Sequence, residues 1–428
     1  MPCKNRFLIV LLIILFTLPR YAHAAGDFEA GDGWSFQDGT LIVTENWGLK
    51  DFLQNDVLEE TGDWKYNHSV SEVDTLVIGR NVTELVNEIY DLNQIIPSRT
   101  SIEAENACFV IDGGWVVNTK TNTLYGAADV PAKQSLPIIN DIPAYIEHIG
   151  DNALCYYAQL CAITIPPNVV SIGENAFGSC INLDELILPA GLQTIGVQAF
   201  HNCPKLKKLH LGSEIREVGS VAFSGCIGIE QIDIREARLK TIRSDIFGAN
   251  YKLTTIELPE TVERIESLAF RICYSLESII IQSDQVAIEG LAFSSCDNLQ
   301  KIIFTKGTPA SIDAALFGEK GAAPDGKGYI SDSSNQRDEI IPYPTLYYTA
   351  DYADEWAPNG ETEWNGYPIQ QISQAKLDGF LAQARGEAAP EAASTDSASW
   401  WSAVVAIAVL ALGGAVCVAR RRKKKIHR

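Results

Sequence analysis

Cysteine is the residue type in this chain whose spacing most invites chemistry. There are ten, and Cys180, Cys203, Cys226, Cys273 and Cys296 fall on a common step of 23 or 24 residues. Three chemistries suit such a series: disulfides, a soft metal site, or a column of inert thiols. A step that returns the chain to the neighbouring strand places like residues about 4.8 Å apart with parallel Cβ directions, longer than the roughly 3.5–4.5 Å between Cβ atoms in a disulfide. A one-sided column also cannot converge on a tetrahedral zinc. The spacing therefore predicts a ladder of small buried thiols. Cys108, Cys155 and Cys161 lie off the column and stay open to pairing.

The other reactive types are sparse. His68, His148, His201 and His210 show no metal spacing, and His201 beside Cys203 follows from the repeat rather than from a catalytic dyad. The sequence has no phosphate-binding Gly-Lys-Ser/Thr loop, no Gly-x-Ser-x-Gly elbow and no His-Glu-x-x-His. Asp351 with Asp354, and Glu361 with Glu363, read as solvated loop charges. Neither metal nor cofactor is expected, and no enzymatic activity; an anchored hydrolase would need a nucleophile constellation in the flanks.

What must position these residues is a repeat. Residues 165–187, 188–210 and 211–233 are three copies of one 23-residue pattern, extended upstream by 142–164 and downstream by 234–257 (one residue longer), 258–280, 281–303 and a partial copy to Phe317. Fixed-period self-similarity of this length means a solenoid. Its core columns are Phe177, Phe200, Phe223, Phe247, Phe270, Phe293 and Phe317; Leu186, Leu209, Ile232, Ile256, Ile279 and Ile302; and Ile172, Ile195, Val218, Ile242, Ile265, Ile288 and Ile312. The small residue before Phe suits a tight bend, and Pro166, Pro189 and Pro259 end strand pairing. Glycine follows the third column at 150, 173, 196 and 219, but Arg243, Glu266, Glu289 and Asp313 take its place later, so that position does not require positive φ.

The pattern Pro-x-x-(Val/Leu)-x-x-Ile-Gly-x-x-Ala-Phe-x-x-Cys-x-x-Leu-x-x-(Ile/Leu) resembles the BspA-like subclass of leucine-rich repeats. The resemblance implies a mostly β solenoid, a curved right-handed coil of short parallel strands with short helical turns. It also implies a microbial surface location and an adhesion or partner-binding role.

The ends read as an address. Residues 1–24 form a secretion signal: Lys4 and Arg6, an apolar run from Phe7 to Leu18, and Ala22-His23-Ala24 for cleavage before Ala25. Residues 400–419 are 20 residues without a charge, about 30 Å as a helix, and the basic residues 420–428 follow as a cytoplasmic tail. The expectation is a single-pass cell-membrane protein with its N-terminal part outside. Net charge is −20; without the three basic residues of 1–24 and the seven of 420–428 it is −30. Such a surface repels phosphate backbones, which disfavours nucleic acid, and sharpens into a preference for cationic partners or divalent ions.

Between these ends, residues 25–74 read as an N-terminal cap with a hairpin turning at Asp38-Gly39, and 75–141 as degenerate coils carrying a hairpin that turns at Asp112-Gly113-Gly114. The full repeats are 142–317. A loop and an aromatic cap cover 318–372, with Leu346-Tyr347-Tyr348 able to extend the last coil. Residues 373–399 make a stalk that opens on a short helix, with Leu377, Phe380 and Leu381 on one face.

Alternation along each strand then selects a recognition strip. If Leu186 and Leu188 point inward, Glu185 and Ile187 point out, and successive coils offer Lys208 and His210, Gln231 and Asp233, Thr255 and Glu257, Ser278 and Ile280, and Lys301 and Ile303. The expected function is recognition or adhesion, binding an extracellular protein or glycan through this face. The competing reading is an envelope spacer without a ligand.

Overall fold

A computed structural model describes residues 29–31, 34–37, 40–46, 57–58, 64–65, 75–85, 99–128, 142–313, 315–318, 328–330 and 340–387. The expected signal, membrane span and basic tail lie outside these residues. Among the described residues no helix is long and apolar enough to cross a membrane. The chain divides into two compact units, 1–373 and 374–428.

In the first unit each full repeat is one coil, and two parallel ladders run along the stack. One contains Lys208–His210, Gln231–Asp233, Thr255–Glu257, Ser278–Ile281 and Lys301–Phe304, and is preceded by a separate parallel pair, Ala162–Thr164 with Glu185–Ile187. The other contains His148–Ile149, Ser171–Ile172, Thr194–Ile195 and Glu217–Val218, and resumes as a separate sheet with Thr241–Ile242, Arg264–Ile265, Ala287–Ile288 and Ser311–Ile312. The break falls at the 24-residue coil, where the first ladder is also reduced to the single registered pair Asp233 and Glu257.

The bend around Ala-Phe forms no helix, which corrects the expectation of short helical turns. Each bend holds two residues at positive φ four positions apart: Asn175 and Ser179, Gln198 and Asn202, Val221 and Gly225, Asp245 and Ala249, Leu268 and Ile272, Leu291 and Ser295. Left-handed residues stop a helix from propagating, at roughly 1–2 kcal/mol each for a residue with a Cβ. The N–H groups serve the next coil instead: Phe177 donates to the Ala199 carbonyl at 2.7 Å, and Phe200 to Ala222 at 2.9 Å.

This coil-to-coil bonding stacks the phenylalanines. Phe177 and Phe200 lie 5.0 Å apart and 1° from parallel, Phe200 and Phe223 5.3 Å and 3°. Across the long coil Phe223 and Phe247 open to 6.2 Å, and the later pairs tilt by 14–29°. The early glycines answer to closeness rather than to dihedral freedom. A Cβ on Gly196 would stand 2.6 Å from the Glu174 nitrogen, and one on Gly219 2.4 Å from that of Val197.

The column cysteines are fully buried free thiols, and each donates to a carbonyl of the preceding coil. Cys180 reaches Leu154 at 3.1 Å, Cys203 Phe177 at 3.3 Å, Cys226 Phe200 at 3.2 Å, Cys273 Phe247 at 3.1 Å and Cys296 Phe270 at 3.0 Å. Asn250 fills the vacancy between Cys226 and Cys273, donating to Phe223 and Phe247 carbonyls while its Oδ1 stays buried without a partner. Of the three cysteines off the column, Cys108 and Cys155 are buried and Cys161 exposed, all as free thiols.

Upstream, Trp34–Gln37 and Thr40–Val43 form the expected hairpin strands, its turn lying outside the described residues. Thr75–Ile78 and Arg99–Ile102 then add in parallel, over a second core of Trp34, Phe36, Leu41, Val43, Ile78 and Phe109. Phe109–Asp112 and Trp115–Asn118 make a hairpin through Gly113 and Gly114, both at positive φ, and Thr123–Ala127 passes this sheet to His148–Ile149. Downstream, Thr345–Thr349 pairs in parallel with Lys301–Phe304 and then with Tyr367–Ile372. Trp356 is buried there, stacked on Tyr348 at 5.5 Å, with its ring N–H on the Gly307 carbonyl at 2.8 Å. Tyr343 and Tyr367 close over Phe317, the end of the phenylalanine stack.

In the second unit a helix spans Gln374–Arg385 and buries Leu377 and Ala382, so the first part of the expected stalk is helical.

Candidate functional site

The strip is built by strand alternation on the first ladder. Leu209 and Ile232 are buried while Lys208, His210 and Gln231 are exposed and Asp233 is half-buried. One coil earlier Glu185 is exposed, and Ile187 keeps 49% of its surface in solvent. The parallel register sets Lys208 opposite Gln231 and His210 opposite Asp233. The His210 Nδ1 lies 3.3 Å from Asp233 Oδ2, and Arg235 grips the same carboxylate at 2.8 and 3.1 Å. The Arg235 hydrogen bond holds the Asp233 carboxyl below its ordinary pKa, against a smaller opposing effect of burial.

Beyond Asp233 the strip closes. Thr255 and Glu257 are buried, and Ile280 and Ile303 have no exposed surface at all, which corrects their expected outward exposure. Alternation fixes which way a side chain points, not what lies across from it. Their polar groups are satisfied in place: Thr255 and Ser278 share a hydroxyl hydrogen bond of 2.9 Å, and Glu257 accepts from Gln282 at 2.9 Å with Arg235 4.0 Å away. Lys301 is half-buried. The strip therefore splits into an open part, from Glu185 to Asp233, and a closed part.

The arrangement offers an exposed surface of varied side chains. Among the described residues, no group of three His, Cys, Asp or Glu is placed to hold a metal ion. His148 Nδ1 sits 2.7 Å from Ser171 Oγ, but the two face each other in register on neighbouring parallel strands and make a cross-strand hydrogen bond. Burial pushes the thiols of Cys155 and Cys180 up to about 12, so they remain protonated and unreactive. What sequence reasoning missed is Lys205 and Lys207, exposed in the same coil as Lys208. The run Lys205-Leu206-Lys207-Lys208 was the available signal.

Six copies of a repeat described as the BspA type leucine rich repeat region match residues 135–247 and 193–321. No curated protein matches the chain. Among solved structures, the chain is similar to the pneumococcal vaccine antigen PcpA, with 16% identity over 70% of this chain and 55% of that one, and a TM-score of 0.33. It is similar to a leucine-rich repeat protein from Eubacterium ventriosum at 18% identity, covering 58% of this chain and 62% of that one, TM-score 0.36. A Treponema pallidum leucine-rich repeat protein shares 22% identity over 48% of this chain and 87% of its own, TM-score 0.30. This chain thus spans less than two thirds of the first two. The matching model indicates a repeat and no enzymatic family, and residues 135–321 of this chain are BspA-type leucine-rich repeats.

Proposed function

We propose that this protein is a non-catalytic recognition or adhesion module of the cell surface, held by a membrane span at 400–419, that docks a protein or glycan on the open strip from Glu185 to Asp233. The observation that carries the reading is the contrast within these coils. The buried columns repeat, while the outward positions run Glu185 and Ile187, Lys208 and His210, Gln231 and Asp233. A rigid stack presenting varied side chains at a fixed pitch is suited to binding, and an exposed Ile187 supplies an apolar anchor. The BspA-type repeats of residues 135–321 support a surface role.

The test is capture of extracellular matrix and cell-wall polymers by cells displaying the full chain, with Ile187→Asp/Gln231→Lys as the altered face. Recognition predicts loss of capture with surface level unchanged. An envelope spacer would leave capture unaltered, and that result would sink the proposal.

A further inference from the structure

The open strip carries a charge anomaly. Thirteen lysines and arginines lie between residues 142 and 313, and nine of them sit within 4.0 Å of a carboxylate of the chain itself. Lys205, Lys207 and Lys208 do not: among the described residues no acid is within ion-pairing distance of any of them, and Lys205 meets only the neutral Asn182. All three are exposed and belong to one coil, which continues into exposed His210.

The adjacent acids do not neutralise them. Glu230, one coil on from Lys207, is held by Lys252 at 3.2 Å, and Asp233 by Arg235 at 2.8 Å. On the other side Asp184 and Glu185 are exposed without closing a salt bridge to these lysines. In a chain with 54 acidic and 34 basic residues, this cationic row is thus without an acidic partner among the described residues, and it lies on the face that is open.

Resting on the recognition reading above, we infer that Lys205, Lys207 and Lys208 form the anion-binding row of the strip and that its occupant is an acidic, extended peptide segment of a partner protein, laid along this one coil with an apolar residue against Ile187. Two features select a peptide over a long anionic polysaccharide. The unpaired cations are confined to a single coil, so a uniformly charged polymer crossing the coils would meet Asp184 and Glu185 in the preceding coil and Glu230 and Asp233 in the next, the latter about one strand spacing, 4.8 Å, away. The exposed Ile187 beside the row offers contact to an aliphatic side chain, which a uniformly charged polymer lacks. Point-charge lysines suit carboxylates approached from varied directions.

The experiment is fluorescence anisotropy of the full chain with a labelled synthetic peptide alternating Glu-Glu with Ile, and in a second arm with a heparin tetrasaccharide. The parent should bind the peptide with an affinity that falls as salt rises. Lys207→Glu/Lys208→Glu should weaken it by about tenfold or more, whereas Lys120→Glu/Lys240→Glu, the same change in net charge elsewhere, should stay within about twofold. Lys207→Gln/Lys208→Gln, with parental melting, guards against misfolding and should fall between. The inference is overturned if the parent does not bind the peptide, if the two double charge reversals behave alike, or if heparin binds more tightly through the same lysines. Should Ile187→Asp/Gln231→Lys abolish capture by displayed cells while Lys207→Glu/Lys208→Glu does not, the face survives and the acidic segment falls; if neither matters, both fall.

Discussion

The coils before residue 234 and those after 257 share one repeat but hold their neighbours differently. In the early coils, glycine at 173, 196 and 219 lets backbone approach backbone, with no room for a Cβ. In the later coils the equivalent residues are carboxylates that reach back to the preceding coil: Glu266 accepts from the Ser244 N–H at 2.9 Å and Glu289 from Ser267 at 3.1 Å. Ring stacking follows the same division, near-parallel early and tilted late. So does the outward strip, open early and closed late. One solenoid therefore uses close contact where it displays a surface and side-chain bridging where that surface is covered.

The comparison breaks first if the stack is not shared. Phe223→Ala, next to the long coil, should cost about 3–5 kcal/mol in urea unfolding, since a buried ring leaves a cavity between two others. Melting like the parent would mean that the halves do not depend on one another through this column. Next in size is the contrast at the coil junctions. Gly196→Ala should cost about 1–3 kcal/mol by forcing neighbouring backbones apart, and Glu266→Ala about 1 kcal/mol through one lost hydrogen bond. The reverse order, read by the same unfolding assay, would undo the distinction between the halves.

Asn250 offers a smaller change in the opposite direction. Asn250→Cys should restore the thiol column and remove a buried oxygen without a partner, gaining up to about 1 kcal/mol; a loss of melting temperature would show that its two donated hydrogen bonds matter more. Site-resolved alkylation of the native protein should modify exposed Cys161 well before Cys180, Cys203 or Cys226, and equal rates would contradict a closed column.

The least effect concerns acid. Asp233 has a folded pKa below its ordinary 3.8, so its contribution to stability is present above that value and is lost as pH falls through the lower, folded one. In a carboxyl NMR titration Arg235→Gln should move the Asp233 midpoint upward. An unmoved midpoint would remove Arg235 as the cause.

Much of this was legible because the repeat states it many times over. Phe177 to Phe317 and Cys180 to Cys296 identify their own columns by recurrence alone. Recurrence failed where identity changed while the role did not: Asn250 donates to a carbonyl as the cysteines do, yet it carries a different letter. The left-handed pairs were hidden for a related reason. Val221, Leu268 and Ile272 are poor choices for positive φ on local grounds, and only hydrogen bonds between coils impose it. The closing of the strip at Thr255 was out of reach, because a strand pattern describes one face and says nothing of what stands opposite. The later copies with Arg243, Glu266 and Glu289 already argued against dihedral freedom at glycine 196, but the close approach of backbone that excludes a Cβ there left no mark in the sequence.

The extra residue of the 234–257 coil has a consequence for how such a chain can vary. In an ordinary sheet, adding one residue to a strand reverses every side chain beyond it. Here the addition falls at a corner, between Ile234 and Leu239, and by Thr255 opposite Ser278 the alignment is whole again. Length can therefore be edited at corners one layer at a time, leaving the layers on either side to keep their own inward and outward faces.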